Sequence, residues 1–238
     1  MKKIAVLFVL GLILVSFSLT WAAEKPRIGV LRFTNHTSAG WWSGGMGSEL
    51  QDMLASELAS TKAFQVLERK EINAVLGEQD LGASGRIDPK TRAKIGKIKG
   101  AKYLVAGTVS AFEEDTSGSG GGIGIMGFSI GGSKGKAYMA VDLKVIDTAT
   151  GEIVDNRTVE ATSEKTGLSL SGGFAGISGS LGKHEKTPVG KAIRACIIEI
   201  SEYLECSLVK GKDDSCMQAY AAKETKRRDK TKKAIDLE

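Results

Sequence analysis

The chain has three prolines, two histidines and three cysteines in 238 residues. Histidines this few, at positions 36 and 184, lie far from any carboxylate or cysteine cluster, so no metal site or catalytic triad can be assembled from neighbouring motifs. The cysteines, Cys196, Cys206 and Cys216, lack the paired CxxC spacing of a zinc site. No cysteine precedes Cys196, so the expectation is an N-terminus without lipid. Charge is missing over two whole stretches, Thr116–Ser133 and Thr166–Gly182, although 26% of the residues are charged. Two such gaps depart from the average composition of soluble domains.

What is present begins with MKKIAVLFVLGLILVSFSLTWAA, a basic start followed by an apolar run and small residues. This reads as a secretory signal over residues 1–22, with an uncleaved anchor as the alternative. Export permits disulfides; the expected pair is Cys206 with Cys216, leaving Cys196 inside a helix. The net charge is +5, but lysines crowd into KETKRRDKTKK near the C-terminus, and no basic groove for nucleic acid remains in the body. The 208–238 tail reads as a solvated, partly helical extension, the alternative being contact with anionic lipid or cell wall.

Between these ends the pattern is α+β, one unit over residues 23–207. RIGVLRF (Arg27–Phe33) and AFQVLER (Ala63–Arg69) read as strands. Met46, Leu50, Met53, Leu54 and Leu58 recur at helical spacing, as do Ile72, Val75 and Leu76. Asp88 and Pro89 signal a helix through Ile98. YLVAGTVSAF is a strand; Ala137, Met139, Val141, Leu143 and Val145 alternate with polar residues as a half-buried strand, and EIVDNRTVEAT is its antiparallel return. Thr187 and Pro188 cap a helix carrying Ile193, Cys196, Ile197, Ile200 and Leu204 on one face.

The glycine-rich stretches then need an explanation. Gly122–Gly127 fits GxGxxG, but no helical face follows, so a dinucleotide loop is excluded by context. In the first stretch Ile123, Ile125, Phe128 and Ile130 stand among Gly and Ser, and in the second Leu168, Leu170, Phe174 and Ile177 do. Alternation with one phase shift per stretch fits a hairpin of transmembrane strands, apolar toward lipid and small toward a lumen. A surface loop is the alternative on pattern alone. No residue set supports an enzyme, and no cofactor is expected.

Taken in order, RIGVLRF, SELQDMLASELAS, AFQVLERKEINAVLGEQ, GAKYLVAGTVSAFE, AVDLKVIDTATGEIV and PVGKAIRACIIEI resemble the CsgG family, the curli secretion channel of the outer membrane. The resemblance implies a periplasmic α/β domain that assembles into a nonamer-like homo-oligomeric ring. Each subunit would give two hairpins, at about 116–136 and 163–186, to a shared barrel for passive export of unfolded polypeptide. It also implies a channel constriction in the loop after the first strand, at Trp41 and Trp42; subunit packing or surface anchoring would account for the same two residues. The implied partners are other copies, a secreted fibre subunit or periplasmic accessory protein, and the outer membrane. The family's acylated N-terminal cysteine is absent, and the hairpins are richer in glycine. The same module resembles LpoB-type activators of peptidoglycan synthases, which form no pore, so a soluble periplasmic interaction module is the second reading.

Overall fold

The computed structural model describes residues 24–115, 136–164 and 187–234. The signal-like start and the alternating apolar residues of both glycine-rich stretches lie outside them.

The strands are β1 (Arg27–Val30), β2 (Thr34–Asn35), β3 (Gln65–Leu67), β4 (Tyr103–Asp115), β5 (Lys136–Asp147) and β6 (Ile153–Glu164). They form one mixed sheet in the order β3-β1-β4-β5-β6, with β2 paired to β4. β3, β1 and β4 are parallel, whereas β4, β5 and β6 form an antiparallel meander. Helices α1 (Met46–Ser60) and α3 (Pro188–Glu205) pack on one face of this sheet and on each other, α2 (Ile72–Ala83) follows β3, and α4 (Ser215–Ala234) closes the chain. The fold is α+β, a mixed sheet with packed helices.

The alternation in β5 does what period-two patterning requires: Ala137, Met139, Val141, Leu143 and Val145 are buried toward the helices. The core is completed by Leu50, Leu54 and Leu58 of α1 and by Ile193, Ile197, Ile200 and Leu204 of α3. Burying each such side chain contributes about 1.5–3 kcal/mol relative to exposure. Gln51 is the polar member, and its Nε2 donates to the Val30 carbonyl at 2.7 Å, tying α1 to β1. The opposite face carries a polar row: Thr34 and Thr108 hydroxyls lie 2.9 Å apart, and Thr158 Oγ1 donates to Asp142 at 2.8 Å.

Three expectations are corrected. The strand from Arg27 ends at Val30, because Phe33 turns its amide to the Gly47 carbonyl (3.1 Å) instead of to a neighbouring strand. The strand from Ala63 shortens to Gln65–Leu67. The helix from Pro89 to Ile98 does not form; Asp88 accepts from the Lys90 and Thr91 amides (2.9 and 3.0 Å) and closes a single turn. Ile95 and Ile98 are exposed, and Gly96 holds a positive φ of 77°. A short helix without a buried face cannot offset the cost of nucleation.

Candidate functional site at the rim of the sheet

The three long strands end together. Asp115 pairs with Lys136 and Lys136 with Glu164, so the antiparallel ladder is continuous to the last described residue of each strand. Both glycine-rich stretches therefore leave the sheet at one end, the rim. The second returns at Thr187, whose Oγ1 accepts from the Gly190 amide at 3.2 Å while Pro188 fills the first turn. That end of α3 belongs to the rim as well: Cys196 touches the Met139 carbonyl near the start of β5, and Tyr203, two turns on, reaches Asp155 at the level of Val145.

The tryptophan loop stands beside the same end of β4. His36 donates its amide to the Val109 carbonyl at 2.9 Å, bringing the loop to the upper strand. Trp41 is 9% exposed and stacks edge to face on Phe112 at 5.3 Å and on Trp42 at 5.5 Å. Its Nε1 finds no acceptor among the described residues. Trp42 is only partly buried. Of the two candidate constriction residues, one is core and the other keeps free surface.

Cys206 and Cys216 are bonded to each other with Cα atoms 6.1 Å apart, and Cys196 is free and buried in α3. Burial pushes the Cys196 thiol up to about 12, which makes it unreactive. The disulfide closes a π-helical turn, Cys206–Lys210, onto the start of α4. Asp214 is the third member of the one cluster of potential metal ligands among the described residues. It accepts from the Cys216 amide at 2.9 Å, capping α4, and two sulfurs bonded to each other are not thiolate ligands.

The tail is anchored by residues far apart in the sequence. The Arg157 guanidinium lies 5.0 Å from the Tyr203 ring and 4.8 Å from the Tyr220 ring, and donates to the Tyr220 carbonyl at 3.0 Å. The two rings meet edge to face at 5.1 Å. Tyr203 also donates to Asp155 at 2.7 Å, with Ser207 on the other carboxylate oxygen. Burial, then the Asp155 contact, hold the Tyr203 hydroxyl protonated far above its ordinary range. Only the aromatic spacing in α3 and α4 could have signalled this.

Apolar surface is exposed on two further elements. In α2, Val75, Leu76 and Leu81 are exposed, and only Gln79 and Gly82 are buried. In the edge strand β6, Ile153 and Val154 are 55% and 40% exposed. Among the described residues no helix is long and apolar enough to cross a membrane.

A protein of Neisseria meningitidis serogroup B strain MC58 bearing a provisional lipoprotein name is 29% identical over 208 residues, covering 85% of this chain and 83% of its own length. Among solved structures, the hypothetical protein CT253 of Chlamydia trachomatis matches with a TM-score of 0.47 at 13% identity, over 79% of this chain and all of its own. The PelC dodecamer of Paraburkholderia phytofirmans matches at 0.38 and 15% identity, over 76% and 87%. Likenesses this distant carry no partner or assembly state to this chain. The model of the curli production assembly/transport component CsgG matches residues 14–235. It spans nearly all of the chain, both glycine-rich stretches included, and the chain therefore belongs to the CsgG family.

Proposed function

We propose that the chain is one subunit of a ring-shaped secretion channel of the outer membrane, to which each copy gives two β-hairpins. The observation that carries this reading is the common rim: past a bulge between Val109 and Ala111, β4, β5 and β6 stay paired to Asp115, Lys136 and Glu164, the residues that flank the two uncharged stretches. A membrane strand needs about nine to eleven residues, so each stretch with its flanks has length for two. Two hairpins cannot close a barrel, and open sheet edges are not tolerated in lipid, so several copies must pool them. Exposed apolar side chains on two separate elements, Val75, Leu76 and Leu81 of the helix that follows edge strand β3 and Ile153 and Val154 of the other edge strand, β6, suit a head-to-tail contact that closes into a ring.

In this reading unfolded polypeptide passes without catalysis or cofactor, and Trp42, not the buried Trp41, is the aromatic available to narrow the passage. Family membership and the meningococcal relative's lipoprotein name support export to the cell envelope; that name also points to a lipid anchor, whereas the first cysteine of this chain is Cys196. The soluble interaction module remains the second reading, favoured by the glycine density of the two stretches. The test is to place Ile125→Arg and Leu170→Arg in the exported protein. A cationic side chain facing lipid costs about 2–4 kcal/mol at mid-membrane, so the variants should lose the detergent-extractable oligomer formed by the parent. Unchanged oligomers would refute the hairpin assignment.

A further inference from the structure

Helix α4 is the most basic element of the chain, with seven Lys and Arg against two acidic residues over Ser215–Ala234. Arg227 and Arg228 pair with Glu224, and Lys223 pairs with Glu199. Lys226, Lys230, Lys232 and Lys233 are exposed and have no ion-pair partner among the described residues. The helix packs Met217 and Tyr220 against the core at its start and is polar all round beyond them, so the place of its basic half is set by anchors rather than by an apolar stripe.

Those anchors define its direction. Tyr220 sits at Arg157, which pairs with Leu143; Lys223 reaches Glu199; Arg227 lies 4.0 Å from Glu160, which pairs with Ala140. From Tyr220 to Arg227 the helix rises about 10 Å, as does β6 from Arg157 to Glu160. α4 thus climbs beside β6 toward the rim, antiparallel to α3. The six residues from Arg227 to Lys233 add about 9 Å, against about 13 Å of β6 from Glu160 to Glu164, so Lys230, Lys232 and Lys233 come within about 10 Å of the end of the ladder while Lys226 stays at the level of Glu160. The disulfide and the Arg157–Tyr220 contact hold the base, so the basic end arrives already oriented.

We infer that α4 is a strut that presents Lys230, Lys232 and Lys233 to anionic phospholipid headgroups at the membrane surface beside the hairpins. This rests on the channel reading, which sets the membrane at the rim. Attraction between lysines and an anionic leaflet falls off within a Debye length, about 10 Å at 0.1 M salt. Only charges delivered within that distance contribute. The other basic segment, residues 86–97, lies on the stretch that rejoins the sheet at its far end, where Arg27 Nε donates to the Gly100 carbonyl. It serves as a control of equal charge.

The test uses the full mature chain with vesicles of phosphatidylglycerol mixed into phosphatidylcholine, or of phosphatidylcholine alone, at about 0.1 M salt. One variant carries Lys230→Gln, Lys232→Gln and Lys233→Gln, a second carries Lys→Arg at the same three positions, and a third carries Lys90→Gln, Lys94→Gln and Lys97→Gln. Wild type, the Arg variant and the far-end variant are expected to bind anionic vesicles alike, and the Gln variant of α4 about tenfold or more weakly. Equal binding by the α4 Gln variant, or equal loss in the far-end variant, overturns the inference. Urea stripping of the same samples reads the hairpins separately. Lysine-dependent binding that urea removes refutes the channel and keeps the surface contact; urea-resistant insertion without lysine dependence does the reverse.

Discussion

The Trp41 and Phe112 rings meet edge to face at 5.3 Å, which makes the loop between β2 and α1 part of the core. Trp41→Ala should therefore destabilise the chain by about 3–5 kcal/mol, whereas Trp42→Ala should cost about 1 kcal/mol, the value of one aromatic pair. Urea unfolding followed by circular dichroism measures both. The reverse order would mean that Trp42 is the core member.

Phe33 and Gly107 set a second constraint. A Cβ at Gly107 would stand 2.3 Å from Phe33 Cε1, so Gly107→Ala must displace the ring, at about 1–3 kcal/mol. In a Phe33→Leu background the same change should cost less, because residues in contact are not additive. Equal penalties in both backgrounds would place the strain elsewhere.

The three sulfurs should respond differently to reagents. With its thiol pushed up to about 12 by burial, Cys196 should stay unlabelled by iodoacetamide at pH 8 until the chain unfolds. Reduction should expose Cys206 and Cys216 first and speed amide exchange in α4, since opening so short a loop removes roughly 3 kcal/mol of constraint. Labelling of Cys196 in the folded chain would contradict its burial.

The α4 anchor should weaken in acid. Hydrogen bonding to Arg227 holds the Glu224 carboxyl at about 2, below its usual 4.5. A carboxylate with a lowered folded pKa contributes stability above its unfolded value and loses it as pH falls from about 4.5 toward 2. Helicity of wild type should decline over that window more than that of Glu224→Gln, in which the ion pairs are already gone. Parallel curves would show that Glu224 plays no part.

Most of the fold was legible where pattern and burial agree. The alternation Ala137 to Val145 and the Thr187–Pro188 cap each specify an element from local residues, and the structure places both where the periodicity does. Local signals misled where long-range burial was missing: Asp88 and Pro89 start a turn, but Ile95 and Ile98 have nothing to pack against. They were silent where the partner is distant in sequence. Nothing near Trp41 announces Phe112, and nothing near Tyr220 announces Arg157. At the rim, the loss of charge at Thr116 and Thr166 was visible at once; that both losses occur at one end of one ladder required the register.

Membrane partition of the exported protein separates the channel from the soluble module, with wild type compared to a variant in which both glycine-rich stretches are replaced by short Gly-Ser turns. The channel reading predicts that wild type stays with the membrane as a large oligomer through urea extraction, and that the variant is a soluble, folded monomer. Recovery of both proteins in the soluble fraction would contradict it.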